Sequence, residues 1–277
     1  MYMKEQLEEI GKSQTLRGFV VKGDNVILDF STFKLKILPE TYEEFKFYIG
    51  REYDKEFLKK CLLMNEKNEV IRYVVNKANK HNYCESDILN KLNKKFDDFD
   101  KSAITNAISE LKRDGCINDT EYVNQYMEYF LSGCYGKYYI INYFNLKKID
   151  PKIVSKLVFD EKVEKEKAES YFNLIKNKYV SNNVAKQKKK IYESLLKRGF
   201  DATMTLDLIN SIVVNPEREE KALIKSYIRA KNKYKDVSSN PKIRTDKIIS
   251  HLVSEGYNYD DIKNVISKDE KGEIEDD

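Results

Sequence analysis

Residues 197–201 read KRGFD, residues 255–259 read EGYNY and residues 146–150 read LKKID. Each stretch is a polar corner with one large apolar residue, and helix-like apolar patterns lie on both sides of it. The large residues are Ile149, Phe200 and Tyr257, at spacings of 51 and 57 residues. Recurrence at such a spacing is typical of repeat proteins, so the sequence predicts a string of small helical modules. A related corner, KKFDDFD, lies at residues 94–100.

The first part of the chain has a different pattern. Residues 16–21 (LRGFVV) and 26–30 (VILDF) are rich in β-formers and flank KGDN, which indicates a hairpin. Residues 33–38 alternate apolar and polar side chains, as a half-buried third strand would. Two helices are expected next, near residues 41–48 and 54–65, and no strand is expected after Asn68. Two or three strands alone are unstable in water, so this segment must pack against helices.

The remaining helices follow from apolar residues spaced three and four apart. A helix capped by Asp119 or Thr120 should place Tyr122, Tyr126 and Tyr129 along one core face. The other predicted helices lie near residues 69–80, 85–95, 101–114, 137–146, 151–159, 163–178, 186–197, 202–213, 216–234, 241–254 and 260–267.

The predicted fold is therefore mainly α: elongated tandem three-helix repeats after a small N-terminal segment that contains a β-hairpin. The predicted boundaries are 1–67 for the β-containing segment, 68–118, 119–161, 162–214 and 215–267 for the four three-helix repeats, and 268–277 for an acidic, disordered tail.

Composition argues against several functional classes. The chain has 277 residues, of which 41% are hydrophobic, but it lacks the run of about 18 apolar residues that a membrane span needs. Its first residues lack the apolar core of a signal peptide, which predicts a cytoplasmic protein. The four cysteines are not spaced as zinc ligands, the two histidines offer no catalytic set, and no glycine-rich phosphate loop is present. We expect reduced thiols, no metal, no cofactor and no enzymatic activity.

Charge is distributed unevenly along the chain. The formal net charge is +4, yet residues 186–247 carry 16 Lys and Arg against 8 Asp and Glu, while residues 97–136 carry 3 bases against 8 acids. Lys225, Arg229 and Lys233 share one face of a predicted helix, which indicates a surface for an acidic partner or for phosphate; a simple solvated face is the alternative. The candidate binding residues are Lys186, Lys188, Lys189, Lys190, Lys225, Arg229, Lys233, Lys235, Lys242 and Arg244.

Three motifs in the same order resemble those of the RecX family, the regulatory proteins of the RecA recombinase. Residues 195–201 (LLKRGFD) resemble the end of a family repeat helix and its corner. Residues 111–122 (LKRDGCINDTEY) resemble the junction between the first two repeats, and residues 133–137 (GCYGK) resemble the break inside the second. The hairpin and residues 53–58 (YDKEFL) are similar to the family's lead-in. The chain departs from the family pattern after Gly136, where KYYII replaces an arginine-rich stretch.

The resemblance implies a monomeric, non-enzymatic modulator of RecA, acting as an inhibitor. It would bind along the filament of RecA on single-stranded DNA and affect filament assembly, ATP hydrolysis and strand exchange. Single- or double-stranded DNA is a possible further partner, and no membrane is involved. The residues alone leave two alternatives: a DNA-binding protein built from helix-turn-helix-like trihelical units, or a general protein-binding scaffold of helical repeats.

Overall fold

The computed structural model describes residues 13–78, 81–180 and 182–274. These residues form two compact units, which we call the N-terminal unit (residues 13–126 and 144–155) and the C-terminal unit (residues 127–143 and 156–274). Both units are mainly helical, and within the described residues the strands belong to the N-terminal unit. The six-segment division made from the sequence is finer than this and stays a prediction.

The N-terminal unit begins with a four-stranded antiparallel sheet of order β3-β2-β1-β4. The strands are β1 (Ser13–Lys22), β2 (Asn25–Phe30), β3 (Lys34–Ile37) and β4 (Glu52–Asp54). Gly23 and Asp24 form the turn between β1 and β2, and Gly23 has a φ of +58°, which suits glycine. The three predicted strands are confirmed. Strand β4 was not predicted, because three residues are too few to show alternation.

One face of the sheet packs on helices, as expected for a segment that cannot stand alone. Strand β3 alternates as predicted, with Leu35 and Ile37 buried. They share a core with Leu28 of β2 and with Leu58 and Cys61 of the next long helix. Helix α1 (Pro39–Phe45) also packs on this helix, α2 (Lys55–Ala78).

Helix α2 is continuous where two helices, near 54–65 and 69–80, were predicted; this prediction was wrong. The predicted break at residues 66–68 is polar but contains neither glycine nor proline, so nothing in its backbone stops a helix. Its polar side chains bind neighbouring elements instead. The Asn68 amide donates to the Thr41 hydroxyl over 3.0 Å, and Lys67 pairs with Glu110 at 2.7 Å. Residues 79 and 80 lie outside the described residues.

The second half of α2 forms a three-helix module with α3 (Glu85–Lys95) and α4 (Lys101–Arg113). The buried residues of this module follow the predicted stripes: Val70, Val74, Ile88, Leu92, Ile104, Ile108 and Leu111. The next helices are α5 (Asp119–Ser132), α6 (Lys137–Leu146) and the short α7 (Pro151–Val154). Helix α7 is shorter than the predicted 151–159, and α5 is capped by Asn118, which accepts from the amides of Thr120 and Glu121. Tyr122 is buried, as predicted. Tyr129 was also predicted to lie in the core, but it is 59% exposed, so that prediction was wrong.

The C-terminal unit contains two further three-helix modules. Helices α8 (Glu161–Ile175), α9 (Val184–Lys197) and α10 (Ala202–Asn210) form one, and α11 (Pro216–Tyr234), α12 (Pro241–Ser254) and α13 (Tyr259–Glu270) form the other. Ala168, Phe172, Ile191 and Leu195 lie in the first core, and Leu223, Tyr227, Leu252 and Ile262 lie in the second.

The three corners at Ile149, Phe200 and Tyr257 share one structure. The amides of Ile149, Phe200 and Tyr257 each donate to the carbonyl five residues earlier, which is the long bond of a Schellman helix end. The residue before each anchor is left-handed: Gly199 has φ +82° and Gly256 +95°, and in the third corner the lysine at 148 takes +56°.

The anchors are buried, and the polar residue after each one starts a new helix. Phe200 is 2% exposed, Tyr257 7% and Ile149 2%, as predicted for Phe200. Asp201 accepts from the Thr203 amide at 2.8 Å and so caps α10. A helix end, a buried anchor and a helix cap thus follow one another within five residues.

The predicted disordered tail is wrong at its start. Helix α13 continues to Glu270, and the Asp269 carboxylate accepts from the Tyr227 hydroxyl at 2.7 Å and from the Lys231 ammonium at 2.8 Å. Lys268 also pairs with Glu220. The acidic residues were assigned to solvent because their partners lie about 40 positions earlier in the sequence. Residues 275–277 lie outside the described residues.

Asp269→Asn is expected to lower the free energy of unfolding by about 1.5 kcal/mol at pH 7. Burial raises the pKa of Asp269, but the bonds from Lys231 and Tyr227 outweigh it and leave the pKa below its ordinary value. Because the folded-state pKa is the lower one, the stabilisation is present above the unfolded pKa and is lost as pH falls through the folded value. Urea denaturation from pH 7 into the acid range tests this; a wild-type advantage that is absent at pH 7, or that does not shrink in acid, would contradict it.

The cysteines are free thiols in different surroundings. Burial, with a smaller contribution from Glu44, raises the pKa of Cys61 to about 12, so this thiol acts as a packing group. Cys84 is also buried, whereas Cys116 is exposed. No helix among residues 13–78, 81–180 and 182–274 is both long and apolar enough to cross a membrane.

Candidate nucleic-acid interface

A row of bases follows one side of α11. Lys225, Arg229 and Lys233 are exposed and stand one turn apart, as the sequence predicted. No carboxylate of the described residues lies within 4.0 Å of their charged atoms. We call these three residues the α11 stripe. Their charge is therefore available to a partner.

The opposite side of α11 is fixed by packing. Leu223, Tyr227 and Ala230 are buried in the core of the module. Lys231, about half a turn away from the stripe, is occupied by Asp269. The apolar and ion-pair contacts orient the helix, and they leave the stripe facing solvent.

Arg218 connects the start of the stripe to α9. It lies two turns before Lys225 on the same side of α11, and its guanidinium donates to Gln187 Oε1 at 2.5 Å and to the Asn182 carbonyl at 3.3 Å. Two turns of helix span about 10.5 Å, so the lysines that begin α9 lie close to the beginning of the stripe.

The four lysines predicted on α9 are not equally available. Lys186 pairs with Glu255 at 3.6 Å, and the Lys190 ammonium lies 5.3 Å from the centre of the Tyr179 ring. Lys188 is half-buried and Lys189 is exposed. Lys189 is thus the freest of the four.

The remaining predicted bases lie at the other end of the module. The Arg244 guanidinium donates to the Lys235 carbonyl at 3.4 Å, which brings the end of α11 to the start of α12. Lys242 is exposed in the first turn of α12. The other end of α12 lies next to Glu255, which pairs with Lys186 of α9. Thirteen residues of helix separate these ends by about 20 Å, so the candidate residues form an extended line rather than one cluster.

Two bases of this surface were missed in the sequence. Arg218 and Lys221 precede the stripe at a similar helical spacing, and Lys221 is exposed. The helical spacing back from Lys225 could have found them. Glu217, Glu219 and Glu220 in the same turns obscured the signal.

Two of the quoted motifs meet in the C-terminal unit. The Gly136 amide donates to the Arg198 carbonyl at 2.8 Å, and the Tyr138 amide donates to the Gly199 carbonyl at 3.1 Å. The Arg198 guanidinium lies 4.8 Å from the Tyr135 ring centre and 4.9 Å from that of Tyr171. The GCYGK break is thus joined to the KRGFD corner by backbone contact.

A buried ion pair reinforces this joint. Glu164 is 7% exposed; its carboxylate accepts from the Lys137 amide at 2.7 Å and pairs with Lys167 at 2.7 Å. The Lys167 ammonium also donates to the Tyr135 carbonyl at 2.8 Å. These contacts hold the start of α6 against helix α8.

Comparisons with known proteins agree with the resemblance noted in the sequence. No family model matches the chain. The regulatory protein RecX of Streptococcus agalactiae serotype III is 28% identical over 181 residues, and that of serotype V is 27% identical over the same length. Each alignment covers 61% of this chain and 66% of the relative, slightly less than two thirds of its length. A crystal structure of regulatory protein RecX superimposes with a TM-score of 0.59 and 14% identity, covering 72% of this chain and all of that one.

The chain is similar in sequence to curated RecX proteins and shares the fold of one of them. Two of the motifs that carry the resemblance, KRGFD and GCYGK, meet at the joint between Gly136 and Gly199.

The alternative of a helix-turn-helix reader of the major groove stays a prediction, and the module of α8, α9 and α10 offers it little support. Such a reader needs Arg, Lys, Asn or Gln along its third helix. Helix α10 contains neither Arg nor Lys, and Asn210 is its single side-chain amide. Its carboxylate Asp207 lines a cavity of about 720 Å³ in which acidic residues outnumber the two lysines, Lys137 and Lys165.

Proposed function

We propose that this chain modulates the RecA recombinase as an inhibitor, without catalysing a reaction of its own. It binds along the RecA filament on single-stranded DNA and opposes filament assembly, ATP hydrolysis and strand exchange. It acts as a monomer in the cytoplasm. The similarity to curated RecX proteins supports RecA as the partner.

The observation that carries the proposal in this chain is the α11 stripe. Three exposed bases without a carboxylate partner among the described residues, extended by Lys189 and by Lys242, form a long basic line. A nucleoprotein filament offers phosphate and acidic side chains along an extended path, and many weak contacts over that path add to one strong interaction.

Titration of the chain into RecA with single-stranded DNA tests the proposed activity. We expect ATP hydrolysis and strand exchange to fall as the chain is added, because binding along the filament opposes its growth. The chain alone should hydrolyse no ATP. Unchanged hydrolysis and unchanged strand exchange at saturating chain would contradict the proposal. Strong binding to bare duplex DNA without any effect on RecA would favour a DNA-binding protein instead.

A further inference from the structure

The N-terminal unit contains a basic pocket whose residues are distant in sequence from the α11 stripe. Its volume is about 450 Å³. Helix α2 lines it with residues spaced along one face: Glu69, Arg72, Tyr73, Asn76 and Lys77. The sheet adds Asn25, Lys36 and Leu38, and the end of α3 adds Lys95 and Phe96. The pocket thus lies between the sheet and the first three-helix module.

The lysines of the pocket gather around one tyrosine ring. The Lys95 ammonium lies 4.1 Å from the centre of the Tyr73 ring, and the Lys77 ammonium lies 5.7 Å from it. The ring itself is held edge-on by Phe96 at 5.5 Å. No carboxylate of the described residues lies within 4.0 Å of the ammonium groups of Lys36, Lys77 or Lys95. The ammonium groups of Lys77 and Lys95 therefore lie near one ring without a direct ion pair to a described carboxylate.

Arg72 is oriented at the edge of the same pocket. Its guanidinium pairs with both carboxylate oxygens of Glu40, at 2.7 and 2.9 Å, and reaches the Asp24 carbonyl at the hairpin tip. This bidentate pair fixes the arginine and ties the sheet to α2.

Glu69 is the one carboxylate among the residues that line the pocket. Burial is the largest effect on Glu69 and raises its pKa. The hydrogen bond from the Asn65 side chain and the charges of Lys36 and Lys95 oppose this rise. Asn65 Nδ2 donates to this carboxylate at 2.8 Å, so its polar demand is met inside the protein. The lining thus has three lysines and one acid, Glu69, while Arg72 is paired with Glu40 at the edge.

We propose that this pocket binds phosphate groups, either of a nucleic-acid strand or of a free nucleotide. A phosphate group carries several strong acceptor oxygens, which suit several ammonium donors that converge from different elements. The side-chain amides of Asn25 and Asn76 offer further neutral donors. The assignment does not require RecA, so it stands or falls separately from the proposed function.

The test uses the 277-residue chain with Lys225, Arg229 and Lys233 changed to Glu, so that the α11 stripe no longer contributes to binding. Lys36→Gln and Lys77→Gln are then added. Neither lysine packs in a core, so folding should persist. The probes are a labelled single-stranded oligonucleotide, a nucleoside triphosphate, inorganic phosphate and poly-glutamate, measured by anisotropy or calorimetry. The matched control is Lys59→Gln with Lys60→Gln, two exposed lysines at the start of the same helix.

We expect the pocket pair to weaken oligonucleotide binding about 25-fold at 0.1 M salt, since each contact to a single strand contributes a salt exponent of about 0.7. The control should bind as its parent does. Loss of oligonucleotide binding alone assigns a strand, and an equal loss of triphosphate binding assigns the phosphate group itself. Lys95→Gln, measured as a separate variant, should weaken binding of the same probes. The proposal is overturned if the pocket pair changes no phosphate probe, if the parent binds none of them, or if poly-glutamate binds equally well and is lost equally.

Discussion

Gly199→Ala is expected to lower the free energy of unfolding of the C-terminal unit by about 4 kcal/mol, combining left-handed strain of about 1–2 kcal/mol with overpacking of about 1–3 kcal/mol. Gly199 has φ +82°, and an added Cβ would lie closer than 3.0 Å to the backbone of Tyr139. Backbone atoms cannot relieve this clash by changing rotamer, as a flexible side chain could. The substitution must therefore separate the KRGFD corner from the start of α6.

Gly115→Ala is the matched control for this prediction. Gly115 has φ +76° but no atom within 4 Å of an added Cβ, so it isolates the backbone strain. It should cost only about 1–2 kcal/mol. Urea denaturation followed by circular dichroism measures both variants. A Gly199→Ala chain as stable as Gly115→Ala would show that the two motifs are not packed backbone to backbone.

Reversal of the α11 stripe, with Lys225, Arg229 and Lys233 changed to Glu, is expected to weaken binding to RecA-coated single strands at least 100-fold at 0.1 M salt. Three lost contacts at a salt exponent of about 0.7 each give this factor before repulsion by the new carboxylates. Stability should change little, because exposed substitutions usually shift the free energy of unfolding by less than about 0.5 kcal/mol each.

The control for the stripe carries the same charge change elsewhere. Lys152, Lys156 and Lys162 are exposed and lie outside both basic sites, so their change to Glu should leave most of the binding intact. Equal losses in the two triple variants would mean that net charge, and not the stripe, governs binding. Undiminished binding of the stripe variant would remove this surface from the interface.

The sequence was sufficient for features that depend on local patterns. The corner around Phe200 could be recognised because a helix end, an apolar anchor and a capping residue follow one another within a few positions. The third strand was visible in its alternation, and the α11 stripe in its four-residue spacing.

Features that depend on distant residues were not predictable in this way. Strand β4 is defined by pairing with residues 13–15, and Asn68 in the middle of α2 donates to Thr41, which lies 27 residues earlier. The role of Asp269 depends on Tyr227, and the joint of Gly136 with Gly199 connects two motifs 63 residues apart. No single window of sequence contains both partners.

The basic pocket was missed for the same reason. Lys36, Lys77 and Lys95 are well separated in sequence, and each resembles an ordinary solvated lysine on its own element. Their common feature is the cavity that β3, α2 and α3 form together. Charge counting along the chain directed attention to residues 186–247, where Lys and Arg outnumber Asp and Glu by 16 to 8.

Equilibrium binding of the labelled wild-type chain to RecA-coated single strands and to bare duplex DNA, compared across a salt series, tests the central claim most directly. We expect tighter binding to the coated strands at every salt concentration, with affinity falling as salt rises and the stripe variant losing the preference. Equal affinity for bare duplex, or no binding to the coated strands, would contradict the assignment of this chain as a modulator of the RecA filament.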